Sequence, residues 1–163
     1  TVKATAFQGD GSALTGVGGA NTPNFEVRKT SGNQTISHNT WTKVNFQSET
    51  FDSDNAFDIS NDKFTVPSGQ AGKYFLYASI KWDSDDRGIR KVALYKNGSL
   101  EKEILCGTSA SQSNAGENYS TGALLNLAVS DYIEIYCLQT TADPETVFAD
   151  GEATFFGGYK LIQ

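Results

Sequence analysis

Residues 74–82 read YFLYASIKW, and this stretch decides the fold. The side chains on one face of the extended chain are apolar or aromatic: Tyr74, Leu76, Ala78, Ile80 and Trp82. The opposite face carries Phe75 and Tyr77 together with the polar Ser79 and Lys81. Alternation with a period of two predicts a β-strand whose first face meets the core. The two aromatic side chains on the second face indicate a contact with another subunit, because a solvated face rarely needs them.

The chain on both sides of this strand repeats the pattern. GIRKVALYKNGSLEKEIL at 88–105 places Asn97-Gly98 between two alternating runs, which predicts a tight hairpin. GALLNLAV at 122–129 and DYIEIYCLQ at 131–139 are expected to pair with each other around Ser130-Asp131. Gly157-Gly158 in the last apolar run indicates a bulge or a close backbone approach. Eight to ten such runs, without helical periodicity, predict an antiparallel sandwich or barrel.

Composition agrees with a β fold and restricts the function. The 163 residues suit one domain, and ten Phe, seven Tyr and 16 Gly favour short strands and turns. The net charge of -6 disfavours nucleic acid as a partner, because phosphate backbones attract basic surfaces. No apolar run is long enough for a membrane span, so membrane insertion is not expected.

The composition changes near the start of the chain. Residues 1–22 are rich in Gly, Ala, Thr and Ser and have few large side chains, which is too little apolar area to fold alone. This segment is interpreted as a stalk or linker, and residues 23–163 as the head domain.

Aromatic residues upstream of the long strand resemble the signature of the C1q globular domain, which shares its fold with tumour necrosis factor (TNF) ligands. Phe46, Asp52, Phe57 and Phe64 follow the family's intervals, and Gly72-Lys73-Tyr74 completes the signature after two extra residues. The segments VALYKNG, LLNLAVSDYIEIYCLQ and FFGGYKL resemble later strands of the family. Leu76 and Ala78 stand where the family usually has aromatic residues.

The resemblance implies a ten-stranded antiparallel jelly-roll sandwich that associates as a homotrimer. The core framework would be Phe46, Phe57, Phe64, Gly72 and Tyr74. The candidate trimer interface comprises six aromatic residues: Phe75, Tyr77, Tyr132, Tyr136, Phe155 and Tyr159. The alternative is that these aromatic side chains fill the core or rim of a single protomer.

The N-terminal segment FQGDGSALTGV at 7–17 resembles a short module near the ends of bacteriophage tail fibres. A head behind such a leader would be a receptor-binding tip on a virion, recognising a host cell-surface glycan or protein. The alternatives are an ordinary flexible linker, a purely structural trimerisation domain, or a secreted C1q/TNF-like ligand.

Catalysis is not expected. The single histidine, His38, lies in TISHNTW without a nucleophile motif beside it. No cofactor is expected apart from Ca²⁺, for which the candidate ligands are Asp83, Asp85, Asp86 and, by its position in the resemblance, Glu117. The alternative for these carboxylates is a solvated acidic loop.

Two cysteines, Cys106 and Cys137, lie in strand-like runs. They are interpreted as small buried apolar residues, with a cross-strand disulfide as the alternative.

Overall fold

The structure is a computed structural model that describes residues 21–83, 88–108 and 117–161. Within these ranges every regular element is a β-strand, which confirms the predicted all-β class. The strands are β1 (Asn24–Arg28), β2 (Gln34–Ile36), β3 (Thr42–Lys43), β4 (Ser48–Asp52), β5 (Phe57–Asp58), β6 (Lys63–Thr65), β7 (Gly72–Trp82), β8 (Ile89–Lys96), β9 (Ser99–Thr108), β10 (Glu117–Leu127), β11 (Tyr132–Gln139), β12 (Glu145–Val147) and β13 (Phe155–Lys160).

Seven of these strands form sheet A, built around the long strand β7. The order is β2-β12-β7-β13-β1-β4, and β10 pairs with the other side of β7. All 11 residues of β7 pair with β10, from Gly72 opposite Leu127 to Trp82 opposite Glu117. The stretch that predicted the fold is therefore an interior strand of the sheet.

Six strands form sheet B, in the order β5-β6-β11-β8-β9, with β3 also paired to β11. β8 and β9 form the predicted hairpin. Asn97 and Gly98 have φ angles of 53° and 77°, the positive values that a two-residue turn with the twist of β-strands requires.

The two sheets enclose an aromatic core. The ring of Phe25 stacks on Phe64 with centroids 4.5 Å apart, and meets Phe156 edge-on at 5.0 Å. The four aromatic residues of the C1q-like framework all lie in this core: Phe46, Phe57, Phe64 and Tyr74. Gly72 begins β7 with a φ of 150°, a backbone conformation that favours glycine.

Two features of the strand pattern differ from the prediction. The structure has 13 strands in the described ranges rather than ten, because short pieces such as β3 and β12 pair with only part of a longer neighbour. β10 and β11 do not form a hairpin: β10 pairs with β7 in sheet A, and β11 pairs with β8 in sheet B. The turn at Ser130 thus carries the chain from one sheet to the other.

The prediction of buried cysteines is confirmed for Cys137 and wrong for Cys106. Cys137 is buried in the core, and burial raises the pKa of its thiol. Cys106 is exposed, because it points away from the core on β9. Both are free thiols, and β8 separates them, since Lys91 lies opposite Cys106 and Val92 opposite Cys137.

Asp131 links the turn of the β8–β9 hairpin to the turn that connects β10 with β11. Its carboxylate accepts hydrogen bonds from the Asn97 amide and the Ala128 backbone N–H, both at 2.8 Å. It also pairs with the Lys96 ammonium at 2.8 Å. Lys96 and then Asn97 lower the pKa of Asp131 from 3.8 to about 2.

An Asp131→Asn variant is expected to lose about 2 kcal/mol of unfolding free energy at neutral pH. A carboxyl group with a lowered folded-state pKa stabilises the fold above its unfolded-state pKa, and this stabilisation disappears as pH falls from 3.8 towards 2. The variant should therefore lose less stability than the wild type over that interval. Urea unfolding at several pH values measures both effects. Asp143→Asn, at an exposed loop position, is the control; an equal loss there would contradict the role of Asp131.

Candidate functional site

The outer face of sheet A carries a largely apolar surface. We call it the A face and define it by six residues: Phe51, Phe75, Tyr77, Leu124, Phe155 and Tyr159. β7 provides its centre, and Leu124 of β10 and Tyr159 of β13 lie opposite Phe75 on either side. The Phe75 and Tyr159 ring centroids are 5.7 Å apart. Leu124 is 55% exposed and Phe51 45%, so large apolar groups reach the solvent here.

Two glycines let the aromatic rings of the A face lie along the sheet. A Cβ atom at Gly157 would lie 2.5 Å from Cζ of Tyr77, and one at Gly122 would lie 2.7 Å from Cζ of Phe75. Each ring thus occupies the space that a side chain would take on the neighbouring strand. This confirms the predicted close approach at Gly157, where β13 and β7 pair without a bulge. The result is a broad surface of aromatic ring faces.

One polar contact crosses the A face. The Tyr77 hydroxyl donates to a Glu26 carboxylate oxygen at 3.2 Å, and Arg28 pairs with the same carboxylate at 3.0 Å. Burial, followed by the charge and hydrogen bond of Glu26, raises the pKa of Tyr77 to about 12. The hydroxyl therefore stays protonated at neutral pH and acts as a hydrogen-bond donor.

The six residues predicted for the trimer interface lie on two surfaces of the protomer. Phe75, Tyr77, Phe155 and Tyr159 belong to the A face. Tyr132 and Tyr136 lie on the outer face of sheet B, because they alternate along β11 with the core residues Ile133 and Ile135. The six residues therefore do not form one surface of the protomer, and their contact with another subunit stays a prediction. Alternation along a strand shows which residues face outward, but not to which sheet the strand belongs.

Tyr136 belongs to a second aromatic cluster, on the outer face of sheet B. We call this surface the B face and define it by Trp41, Lys43, Tyr95, Tyr132, Glu134 and Tyr136. The Tyr95 ring stacks on Tyr136 with centroids 3.9 Å apart, and Trp41 meets Tyr95 edge-on at 6.0 Å. Burial raises the pKa of both tyrosines.

Charged groups lie beside these rings. Lys43 pairs with Glu134 at 3.1 Å and also donates to the Asn61 carbonyl at 2.9 Å. Burial disfavours the charged form of Lys43, but the hydrogen bond and charge of Glu134 outweigh it and raise the Lys43 pKa. Lys63 lies over the Tyr132 ring, 5.1 Å from its centroid. The B face therefore alternates aromatic rings with fixed polar groups, whereas the A face is mainly apolar.

Sequence reasoning missed six residues of these surfaces: Phe51, Leu124, Trp41, Lys43, Tyr95 and Glu134. A signal for Leu124 is present in GALLNLAV, where it is the apolar residue on the otherwise polar side of the strand. Tyr95 likewise alternates with the buried Leu94 and Val92 of β8.

Two of the candidate calcium ligands, Asp83 and Glu117, lie at one end of the sandwich. Glu117 at the start of β10 is opposite Trp82 at the end of β7, and Asp83 follows Trp82 along the chain. The Glu117 carboxylate accepts a hydrogen bond from the Tyr119 hydroxyl at 2.7 Å. Asp85 and Asp86 lie outside the described residues. Among residues that the structure describes, no group of three or more His, Cys, Asp or Glu side chains is arranged to hold a metal. Two carboxylates offer fewer oxygens than Ca²⁺ requires, so calcium binding stays a prediction.

His38 has a structural contact. Its Nδ1 atom is hydrogen-bonded to the carbonyl of Thr141, next to an isolated bridge between His38 and Gln139. This contact connects the chain before β3 to the end of β11.

Over the described ranges, no helix has the length and apolar character needed to cross a membrane.

Comparison with known proteins identifies the fold. The crystal structure of murine APRIL at pH 5.0 is similar with a TM-score of 0.61 and 16% identity, over 85% of this chain and 98% of that chain. The globular domain of zebrafish complement 1qA protein has a TM-score of 0.57 and 16% identity, over 86% and 98%. The fold is a C1q/TNF-like jelly roll. No protein-family model and no curated protein sequence matches the chain.

Proposed function

We propose that the chain is the homotrimeric, receptor-binding head of a bacteriophage tail fibre. The observation that carries the trimer is the A face, where Leu124 and Phe51 remain exposed beside four half-buried aromatic rings. An apolar surface of this kind on a protomer is typical of a subunit contact. A contact between this face and a different surface of the next copy closes into a ring, which agrees with the three-fold symmetry implied by the C1q/TNF resemblance.

The path of the chain supports a position at the tip of a fibre. Both described termini lie at the end of the sandwich where β7 begins: the Lys160 N–H donates to the Pro23 carbonyl at 3.0 Å, and the Leu161 N–H donates to Lys73 at 2.8 Å. β7 then extends about 35 Å away from this end. A leader that enters at Pro23 would thus hold the sandwich with its opposite end and outer sides facing the host.

The leader also supports the virion context. Residues 7–17, which lie outside the described ranges, resemble the modules that precede phage receptor-binding heads. The proposed role is binding: His38, the single histidine of the sequence, has no nucleophile motif beside it and is hydrogen-bonded to the Thr141 carbonyl. The ligand would be a host cell-surface glycan or protein.

Adsorption to bacterial cells tests this function. The fluorescently labelled 163-residue chain is incubated with a panel of bacterial strains, and cell-bound label is measured by flow cytometry. We expect saturable binding to a subset of strains, which unlabelled chain displaces and heat-denatured chain does not show. A trimer that adsorbs to no strain would contradict the receptor-binding role.

The same A face also suits a purely structural trimerisation domain that holds the fibre shaft in register. Removal of residues 23–163 would then abolish trimerisation of the shaft, and the isolated head would trimerise without adsorbing to cells. These two results together separate the alternatives.

A further inference from the structure

We propose that the B face is a binding site for a neutral or amine-bearing oligosaccharide. Its first element is the aromatic cluster, in which Tyr95 contacts both Tyr136 and Trp41. All three side chains are only partly buried, so ring surface and edges remain accessible to solvent. The C–H faces of a sugar ring pack against aromatic rings, and sugar hydroxyls need polar partners close by.

The polar partners are already held in place. The Glu134 side chain is 9% exposed and is fixed by Lys43 at 3.1 Å, and Lys43 is fixed in turn by the Asn61 carbonyl. Groups held by such contacts lose little conformational freedom when a ligand binds. They can accept and donate hydrogen bonds to hydroxyl groups without rearranging.

A groove extends this surface beyond Tyr132. It has a volume of about 540 Å³ and lies along β5 and β6, with Asp54, Asn55, Asp58, Lys63 and Thr65 among its lining residues. Lys63 connects the groove to the B face, because its ammonium lies over the Tyr132 ring. Tyr132 and Tyr136 are four residues apart on β11, about 13 Å. The combined surface therefore suits a chain of several sugars rather than a single one.

The chemistry of the surface favours a saccharide over other partners. A protein partner that covered the B face would have to desolvate the Lys43–Glu134 pair, whereas the cores of protein interfaces are depleted in charge. A saccharide leaves much of the pair hydrated and uses it for hydrogen bonds. Asp54, Asp58 and Glu134 face Lys43 and Lys63 across this surface, which leaves it slightly acidic, in a chain of net charge -6. Uronic acids and phosphate-bearing polymers are therefore disfavoured.

An array of bacterial surface glycans, grouped as neutral, amine-bearing and acidic, tests the inference with the full 163-residue chain. We expect the wild type to bind neutral or amine-bearing glycans. Trp41→Ala should weaken that binding about ten-fold or more, and Trp41→Phe should retain most of it. Lys63→Gln, at the groove, should weaken it about three-fold. Val129→Ala, at an exposed turn outside this surface, is the matched control and should leave binding unchanged.

Several outcomes would overturn the inference: binding to acidic glycans alone, binding to no glycan, or equal binding by Trp41→Ala, Lys63→Gln and wild type. A change in oligomeric state in Trp41→Ala would show that the B face is a subunit contact, and would overturn it as well. The assignment of the saccharide to a host envelope rests on the proposed function. If Trp41→Ala still adsorbs to cells, the B face is not the receptor site, but the receptor-binding role stands. If the chain binds glycans but adsorbs to no strain, the B-face site stands and the receptor-binding role is contradicted.

Discussion

A Leu124→Glu variant is expected to be monomeric at micromolar concentrations at which the wild type is trimeric. Leu124 is 55% exposed on the protomer, so the substitution should not disturb the sandwich itself. It lies opposite Phe75, on the β10 side of the A face. Burying an unpaired carboxylate in an apolar contact costs several kcal/mol per protomer, which raises the dissociation constant by roughly a thousand-fold or more. Sedimentation velocity at several concentrations measures the change.

Leu100→Glu provides the matched control. Leu100 is 47% exposed, close to the value for Leu124, but lies at the β8–β9 hairpin of sheet B. We expect this variant to remain trimeric. If both variants stay trimeric with unchanged dissociation constants, the A face is not the subunit contact.

A Glu145→Ala variant is expected to lose about 3–5 kcal/mol of unfolding free energy. Glu145 on β12 pairs with Arg90 on β8 at 3.1 Å, and their side chains are 5% and 0% exposed. The pair joins sheet A to sheet B, and the Arg90 guanidinium lies over the buried Trp82 ring at 5.5 Å. Removing Glu145 takes this partner away from a fully buried cation, which is far more costly than losing a pair in solvent.

Two further variants isolate the cause of that loss. Glu103→Ala breaks the exposed pair between Lys91 and Glu103, which are 3.0 Å apart, and should cost no more than about 1 kcal/mol. The double variant Arg90→Met with Glu145→Leu replaces the ion pair by apolar groups and should recover most of the stability. Urea denaturation at a fixed protein concentration compares the four proteins. Equal losses in Glu145→Ala and Glu103→Ala would refute the special role of burial.

The all-β fold could be predicted because the patterns that decide it lie within short stretches of sequence. The alternation in 74–82 separates core from outer face without knowledge of any partner strand. Asn97-Gly98 defines its hairpin through backbone conformations that few other residues adopt. The pairing of β10 could not be predicted in this way. Its leucines suit either sheet equally, and its true partner, β7, lies far away along the chain, with Gly72 opposite Leu127.

The candidate surfaces were predictable only in part, for the same reason. Alternation identifies Phe75 and Tyr77 as outward-facing aromatic residues. It cannot show that Tyr136 belongs to the other sheet, because sheet membership depends on long-range pairing. Trp41 and Tyr95 come together only through the pairing of β3 and β8 with β11. Ion pairs such as Arg90–Glu145 connect residues 55 positions apart, and no sequence spacing indicates them.

The most direct test of the central claim is the mass of the wild-type chain in solution. Sedimentation equilibrium or light scattering at micromolar concentration should give three times the chain mass of 17.6 kDa. The Leu124→Glu variant, measured in parallel, should give a single chain mass. A wild-type chain that remains a monomer throughout this range would contradict an account in which the A face is the contact between three subunits.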